Sequence, residues 1–205
     1  KEGYAVVLFS ISAEMSSSYQ NACLASADFE DVYVVDTRNL STGGGLLVVS
    51  AGEMVKAGKS AAEIAQSCRT LASRVDASFV IDDLEFLHKG GRCSSLAALG
   101  ANLLHLKPCI EVRDGKMTVG KKYRGKFSAV LKQYIADRIG DASGIDLDRI
   151  FITHAGCDEE TVQMCAELVR QLAPFREVFI TRAGCTISAH CGRNTLGILF
   201  LRKDG

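Results

Sequence analysis

The sequence predicts an α/β protein of two domains: a truncated three-layer α/β/α domain over residues 1–75, and a two-layer α/β domain with a mixed sheet over 76–205. Three observations carry this. From Tyr4 to Arg74, short apolar runs alternate with segments of helical period in the order β-α-β-α-α, the grammar of a layered α/β unit. Further on, Asp114-Gly115 between two apolar runs signals a tight antiparallel hairpin, so the second sheet is not purely parallel. With 205 residues, 47% hydrophobic and 23% charged, the chain can bury a substantial core and has the composition of a globular protein.

Residues 4–10 form a short run of valine, leucine and phenylalanine, a buried strand. Ser16-Ser17-Ser18 then stands before a helical pattern over 19–25, which a serine caps. A second strand covers 32–36. Gly43-Gly44-Gly45 opens a helix over 46–57 that closes at Gly58. Ser60-Ala61-Ala62-Glu63 is a capping box, starting a helix to about residue 75 with Ile64, Cys68 and Leu71 on one face. In the second half a strand over 78–81 leads to a Gly-Gly-Arg turn and a helix over 94–104. The hairpin strands follow at 109–112 and 117–123, then a helix over 127–139. A strand over 149–154, an amphipathic helix over 158–172 and strands over 177–181 and 197–201 complete the chain.

Lys+Arg and Asp+Glu balance at 24 each, without the basic surplus of a nucleic-acid binder. No apolar run reaches the roughly 18–20 residues of a membrane span, and the first residues lack a signal-peptide pattern. The chain opens at Lys1 without methionine and enters a strand almost at once, which reads as a fragment or a chain lacking its first part. Its eight cysteines form no C-x-x-C pair, and Cys23, Cys68 and Cys165 fall in apolar periodic segments. A reduced, cytoplasmic protein is therefore expected.

Several polar clusters could carry chemistry. Leu87-His88-Lys89-Gly90-Gly91-Arg92 gathers free N–H groups and a guanidinium in one turn, suited to a carboxylate or phosphate. The serine run 16–18 is either a helix cap or an anion site at a helix start. Gly43-Gly44-Gly45 lacks the Gly-Lys-Ser/Thr ending of a phosphate loop, and a glycine-permitted helix entry or a close backbone approach to a ligand explains it better. Zinc needs about four ligands with a closely spaced pair; Cys185, His190 and Cys191 offer three, awkwardly adjacent, so no metal is expected. His190 reads as a hydrogen-bond donor at a cleft or as an exposed loop histidine, and His154 either lines a cleft or caps a strand. No Gly-x-Ser-x-Gly elbow or Cys/His dyad stands out in linear order.

In order and spacing these clusters resemble the DegV family of bacterial fatty-acid-binding proteins. The matching stretches are Ile11-Ser12 to Tyr19-Gln20, where the family shows Ser-Gly-Thr-Tyr-Gln; Val35-Asp36-Thr37 to Leu47; Ser78-Phe79-Val80 to Arg92; Leu106-Lys107-Pro108; Lys122-Tyr123-Arg124-Gly125-Lys126; and Ile187-Ser188-Ala189-His190-Cys191-Gly192. The family's N-terminal stretch, with its Asp-Ser strand end, has no counterpart. Ser17 stands where glycine is usual and Ser18 where threonine is. Cys93 and Cys109 replace branched apolar residues, Cys191 replaces threonine, and Arg193-Asn194 replaces Pro-Gly.

The resemblance implies a two-domain protein holding one long-chain fatty acid, such as palmitate, stearate or oleate, in an apolar tunnel between its domains. It implies no cofactor and no active site for ATP. The protein would act as the binding subunit of a fatty acid kinase, presenting the carboxylate to a separate ATP-using catalytic subunit that makes acyl phosphate for phospholipid synthesis. Neither nucleic acid nor a membrane span enters this picture, though transient membrane contact is compatible with it. By position, Ser16, Ser18 and His190 would contact the carboxylate. Arg124 would assist phosphoryl transfer or partner docking, and Arg92 would steady the cleft. An alternative resemblance, to the dihydroxyacetone kinase substrate domain, would have His190 hold a small polar triose instead.

Overall fold

Residues 3–94 and 106–204 are described by the structure, a computed structural model. The chain divides into two compact units, Lys1–Val75 with Asp114–Lys116, and Asp76–Arg113 with Met117–Gly205.

In the first unit, β1 (Val6–Ser10) and β2 (Val32–Asp36) pair in parallel, Val6 opposite Val32 and Ser10 opposite Asp36. Strand alternation sends Val7, Phe9, Tyr33 and Val35 to one face. There they pack on Ala51 of α2 (Ser41–Lys56) and on Ile64, Ala65 and Cys68 of α3 (Ala61–Leu71). Val6, Leu8 and Val32 turn the other way, and with Tyr4, Phe29 and Ala22 and Ala25 of α1 (Ser18–Ser26) they line an open apolar groove of about 560 Å³. The layers are thus α1, sheet, and α2 with α3. The Ser60 capping box forms as expected: its hydroxyl accepts from Glu63 N at 3.3 Å, and Glu63 accepts from Ser60 N at 2.9 Å. In this unit two helix ends differ most from expectation. Helix α2 starts at Ser41, before the glycines, because Gly43 packs on the Asn39 side chain and Gly44 on Thr37. Helix α3 stops at Leu71, and a tight turn over Ala72–Arg74 feeds β3 (Val75–Ile81), whose side chains are nearly all buried.

Among the described residues the second unit's sheet has six strands in the order β5-β4-β3-β8-β6-β7. Strands β4 (Leu106–Arg113) and β5 (Lys116–Arg124) form the hairpin expected around Asp114-Gly115. β3 and β4 are antiparallel, β6 (Ile145–Ala155) and β7 (Glu177–Arg182) parallel, and β6 and β8 (Thr195–Arg202) antiparallel, so the sheet is mixed. Two helices cover one face: α5 (Phe127–Ile139), through Val130, Leu131, Tyr134 and Ile135, and α6 (Glu159–Leu172), through Val162, Cys165, Ala166 and Val169. They pack on Val80, Ile150, Ile152, Ile198 and Phe200. Two short helices are additions to the sequence reading: α4 (Glu85–Gly90) after β3, and α7 (Cys185–Cys191) between β7 and β8. The helix expected over 94–104 lies almost wholly outside the described residues. Among the described residues no helix is long and apolar enough to cross a membrane.

Candidate functional site

The polar residues of the first unit collect where β1 and β2 both end, the usual place for a ligand in a parallel sheet. Two loops are tied together there. Ser12 N donates to Asn39 O at 2.9 Å, and the Thr37 hydroxyl donates to Ser10 O at 2.8 Å. The Asp36 carboxylate takes Arg38 N at 2.8 Å and Ala13 N at 3.3 Å. The fully buried Ser12 hydroxyl donates to Gly115 O at 2.7 Å. This framework fixes the turn from which α1 starts. Ser16 and Ser18 lie together on it, their hydroxyl oxygens 2.8 Å apart, and Ser16 Oγ also accepts from Ser18 N at 3.2 Å. Ser17 is the residue before α1 and makes no side-chain cap. The serine run therefore satisfies one N–H through Ser16 and leaves hydroxyls at the surface of the turn. Ser17 has φ −70°, so a serine fits the family's glycine position without strain.

In the second unit, register places the remaining candidates at one end of the six-stranded sheet. Asp82 N donates to Asn194 O at 3.1 Å, so β3 ends beside the start of β8. His154 lies opposite Leu196 and Arg182, at the ends of β6 and β7. Leading away from the hairpin turn, β5 ends at Arg124, level with the start of β4. Around this end Asp82 holds the Lys107 ammonium at 2.5 Å and accepts from Asn194 Nδ2 at 3.3 Å. Among the described residues the exposed Arg124 guanidinium makes no hydrogen bond or ion pair, so it is available to an anion. Arg92 is engaged: its Nη1 donates to Gly90 O at 2.8 Å, folding the side chain onto its own turn.

His190 sits near the end of α7, half-buried, and not in a loop. It packs against the Gly-Gly-Arg turn, where a Cβ on Gly90 would come within 2.7 Å of the imidazole. The structure therefore joins Ser16 to Ser18 in the first unit and His190 to the Gly90-Gly91-Arg92 turn in the second. Neighbouring thiols are held neutral: burial pushes Cys191 up to about 11 and Cys157 up to about 12. His154 moves the other way, lowered by burial and by the adjacent Arg182. Among the described residues no group of three or more His, Cys, Asp and Glu side chains is placed to hold a metal ion. The residues that sequence order leaves unjoined are Asp82, Lys107 and Asn194. The polar stretch 82–85 and the pair Arg193-Asn194 are visible in the sequence, but their pairing depends on the antiparallel alignment of β3 and β8.

The family model described as "Uncharacterised protein, DegV family" matches residues 1–203. A DegV domain-containing protein of Clostridium acetobutylicum is 33% identical over 205 residues, 99% of this chain and 72% of that one. Among solved structures, a fatty acid binding DegV family protein from Thermus thermophilus superposes with a TM-score of 0.85 at 28% identity, over 98% of this chain and 72% of the other. The fatty acid kinase B3 protein of Streptococcus pneumoniae, loaded with linoleic acid, also superposes at 0.85, with 23% identity over 98% of this chain and 73% of the other. At that identity the second likeness speaks to the fold.

Proposed function

We propose that this chain, which belongs to the DegV family, binds one long-chain fatty acid and presents its carboxylate to a separate ATP-using kinase subunit. The observation that carries the reading is the family match over residues 1–203, joined to the fatty acid binding of the Thermus thermophilus relative. The kinase step is suggested by the Streptococcus pneumoniae neighbour.

Physical chemistry sets what such a protein must supply. Burying an acyl chain contributes about 0.8 kcal/mol per methylene. Against this, a desolvated carboxylate costs several kcal/mol unless hydrogen bonds surround it. Ser16, Ser18 and His190 are assigned to the carboxylate. Hydroxyls and an imidazole N–H can donate to it without a fixed buried counter-charge, which would resist release to a partner. Arg124, exposed and free of partners among the described residues, is assigned to the phosphoryl group or the partner's surface. Arg92 is assigned to steadying the turn to which its guanidinium bonds.

Thermal unfolding and an acyl-phosphate assay with the separate catalytic subunit of a fatty acid kinase and ATP test this. Palmitate at a hundredfold excess over its Kd is expected to raise Tm by about 5–10 °C, and dihydroxyacetone to leave it unchanged. Arg124→Ala should load palmitate normally and lose phosphoryl transfer. Stabilisation by the triose and not by palmitate, or loss of loading in Arg124→Ala with transfer per loaded protein intact, would overturn the assignment.

A further inference from the structure

We infer that Gly90 is a positioning residue for His190: the absent side chain at the end of α4 lets the imidazole lie edge-on against that helix with Nε2 directed away from it. This deepens the proposed head-group role of His190 and rests on it.

Two close fits join α4 to α7. A Cβ at Gly90 would sit 2.7 Å from His190 Nδ1 and 3.6 Å from both Cε1 and Cγ. Nδ1 lies between those two carbons in the ring, so equal distances behind it mean that this nitrogen points at Gly90. Nε2 is on the opposite side and is the nitrogen left for a ligand. Reciprocally, a Cβ at Gly192 would sit 2.6 Å from Phe86 Cδ2 and 2.9 Å from its Cγ. Phe86 and Gly90 are four residues apart and share one face of α4. His190 and Gly192 flank the buried Cys191 on the other side. Each partner thus supplies one ring and one glycine, and the two rings fill the two gaps.

The Gly90 backbone is itself held. Gly91 takes the left-handed conformation at φ +65°, its N–H donates to His88 O at 3.2 Å, and Arg92 Nη1 donates to Gly90 O. A methyl group on Gly90 would meet a braced helix end on one side and a rotatable imidazole on the other. The ring is what yields, and Nε2 moves with it.

A double-mutant cycle on the purified full chain tests this, with palmitate binding, thermal unfolding and the imidazole ¹⁵N spectrum as readouts. The chain has only four histidines, so His190 can be assigned. Gly90→Ala is expected to weaken palmitate binding about tenfold, the loss of one charge-assisted hydrogen bond. His190→Ala should do the same, and the double variant should be no weaker than His190→Ala alone. Gly184→Ala, at the start of α7 with open space around it, should bind as the parent does. Equal losses from Gly90→Ala with and without His190, or no loss, overturn the inference. Failure of the parent protein to bind palmitate would instead remove the head-group reading. Gly90→Ala must then still shift the His190 resonances while Gly184→Ala leaves them in place, and unmoved resonances overturn the positioning role.

Discussion

Asn194 stands where the resemblance to the DegV family puts a glycine. Its φ is +54°, in the left-handed region, where asparagine is the side chain best tolerated after glycine. The substitution also adds a bond that glycine cannot make, from Nδ2 to Asp82. Asn194 therefore ties the loop after His190 to the end of β3. His154, nearby in the sheet, is less well served. Its Nδ1 is buried without a hydrogen-bond partner among the described residues. Burial and then Arg182 lower its pKa, with Glu159 partly opposing. A folded-state value below the unfolded one favours the neutral ring in the fold. The stability this supplies is complete above the ordinary histidine range near 6.5 and is lost as pH falls through the folded value. Denaturant midpoints between pH 7.5 and 5 should fall less in His154→Gln than in the parent; parallel declines would contradict this.

At the scale of elements, α5 is the beam of the second unit, and Tyr134 fastens it. Its ring is fully buried, and its hydroxyl donates to Ser78 O at 2.7 Å, meets Ser78 Oγ at 2.9 Å and accepts from Ile198 N at 3.0 Å. One side chain thus links the helix to β3 and β8. Tyr134→Phe removes the oxygen and leaves buried groups on two strands unsatisfied, at a cost of about 1–3 kcal/mol in urea unfolding; a loss below about 0.5 kcal/mol would show that these bonds do not fix the helix.

Helix α5 was legible to the residue, because its apolar positions recur every three to four residues and Gly140 ends it with positive φ. The Ser60 box, β2 and the Asp114-Gly115 hairpin were equally plain, since each is specified by contiguous residues. Helices α4 and α7 were not, because six or seven residues hold too few turns for a period to show, and α7 is rich in small and polar side chains. The start of α2 was misplaced because its glycines answer to Asn39 and Thr37, a packing relation that local pattern does not contain. In the site, the Ser16–Ser18 pair follows from adjacency. The seat of His190 on Gly90 joins residues one hundred positions apart and becomes visible only through the sheet.

For the molecule as a whole, charge gives little direction. Twenty-four basic and twenty-four acidic residues leave no net field to steer a polyanion, so recognition has to come from local donors and apolar surface. The first unit exposes such surface, with Tyr4 78% and Phe29 63% accessible beside the groove. The proposed ligand of this protein is an acyl chain, and native mass spectrometry of the purified chain tests for it most directly. The expected spectrum shows the polypeptide with one added mass of a fatty acid of about 14–18 carbons, exchangeable for labelled palmitate. A spectrum of bare polypeptide that no fatty acid can shift would contradict the account.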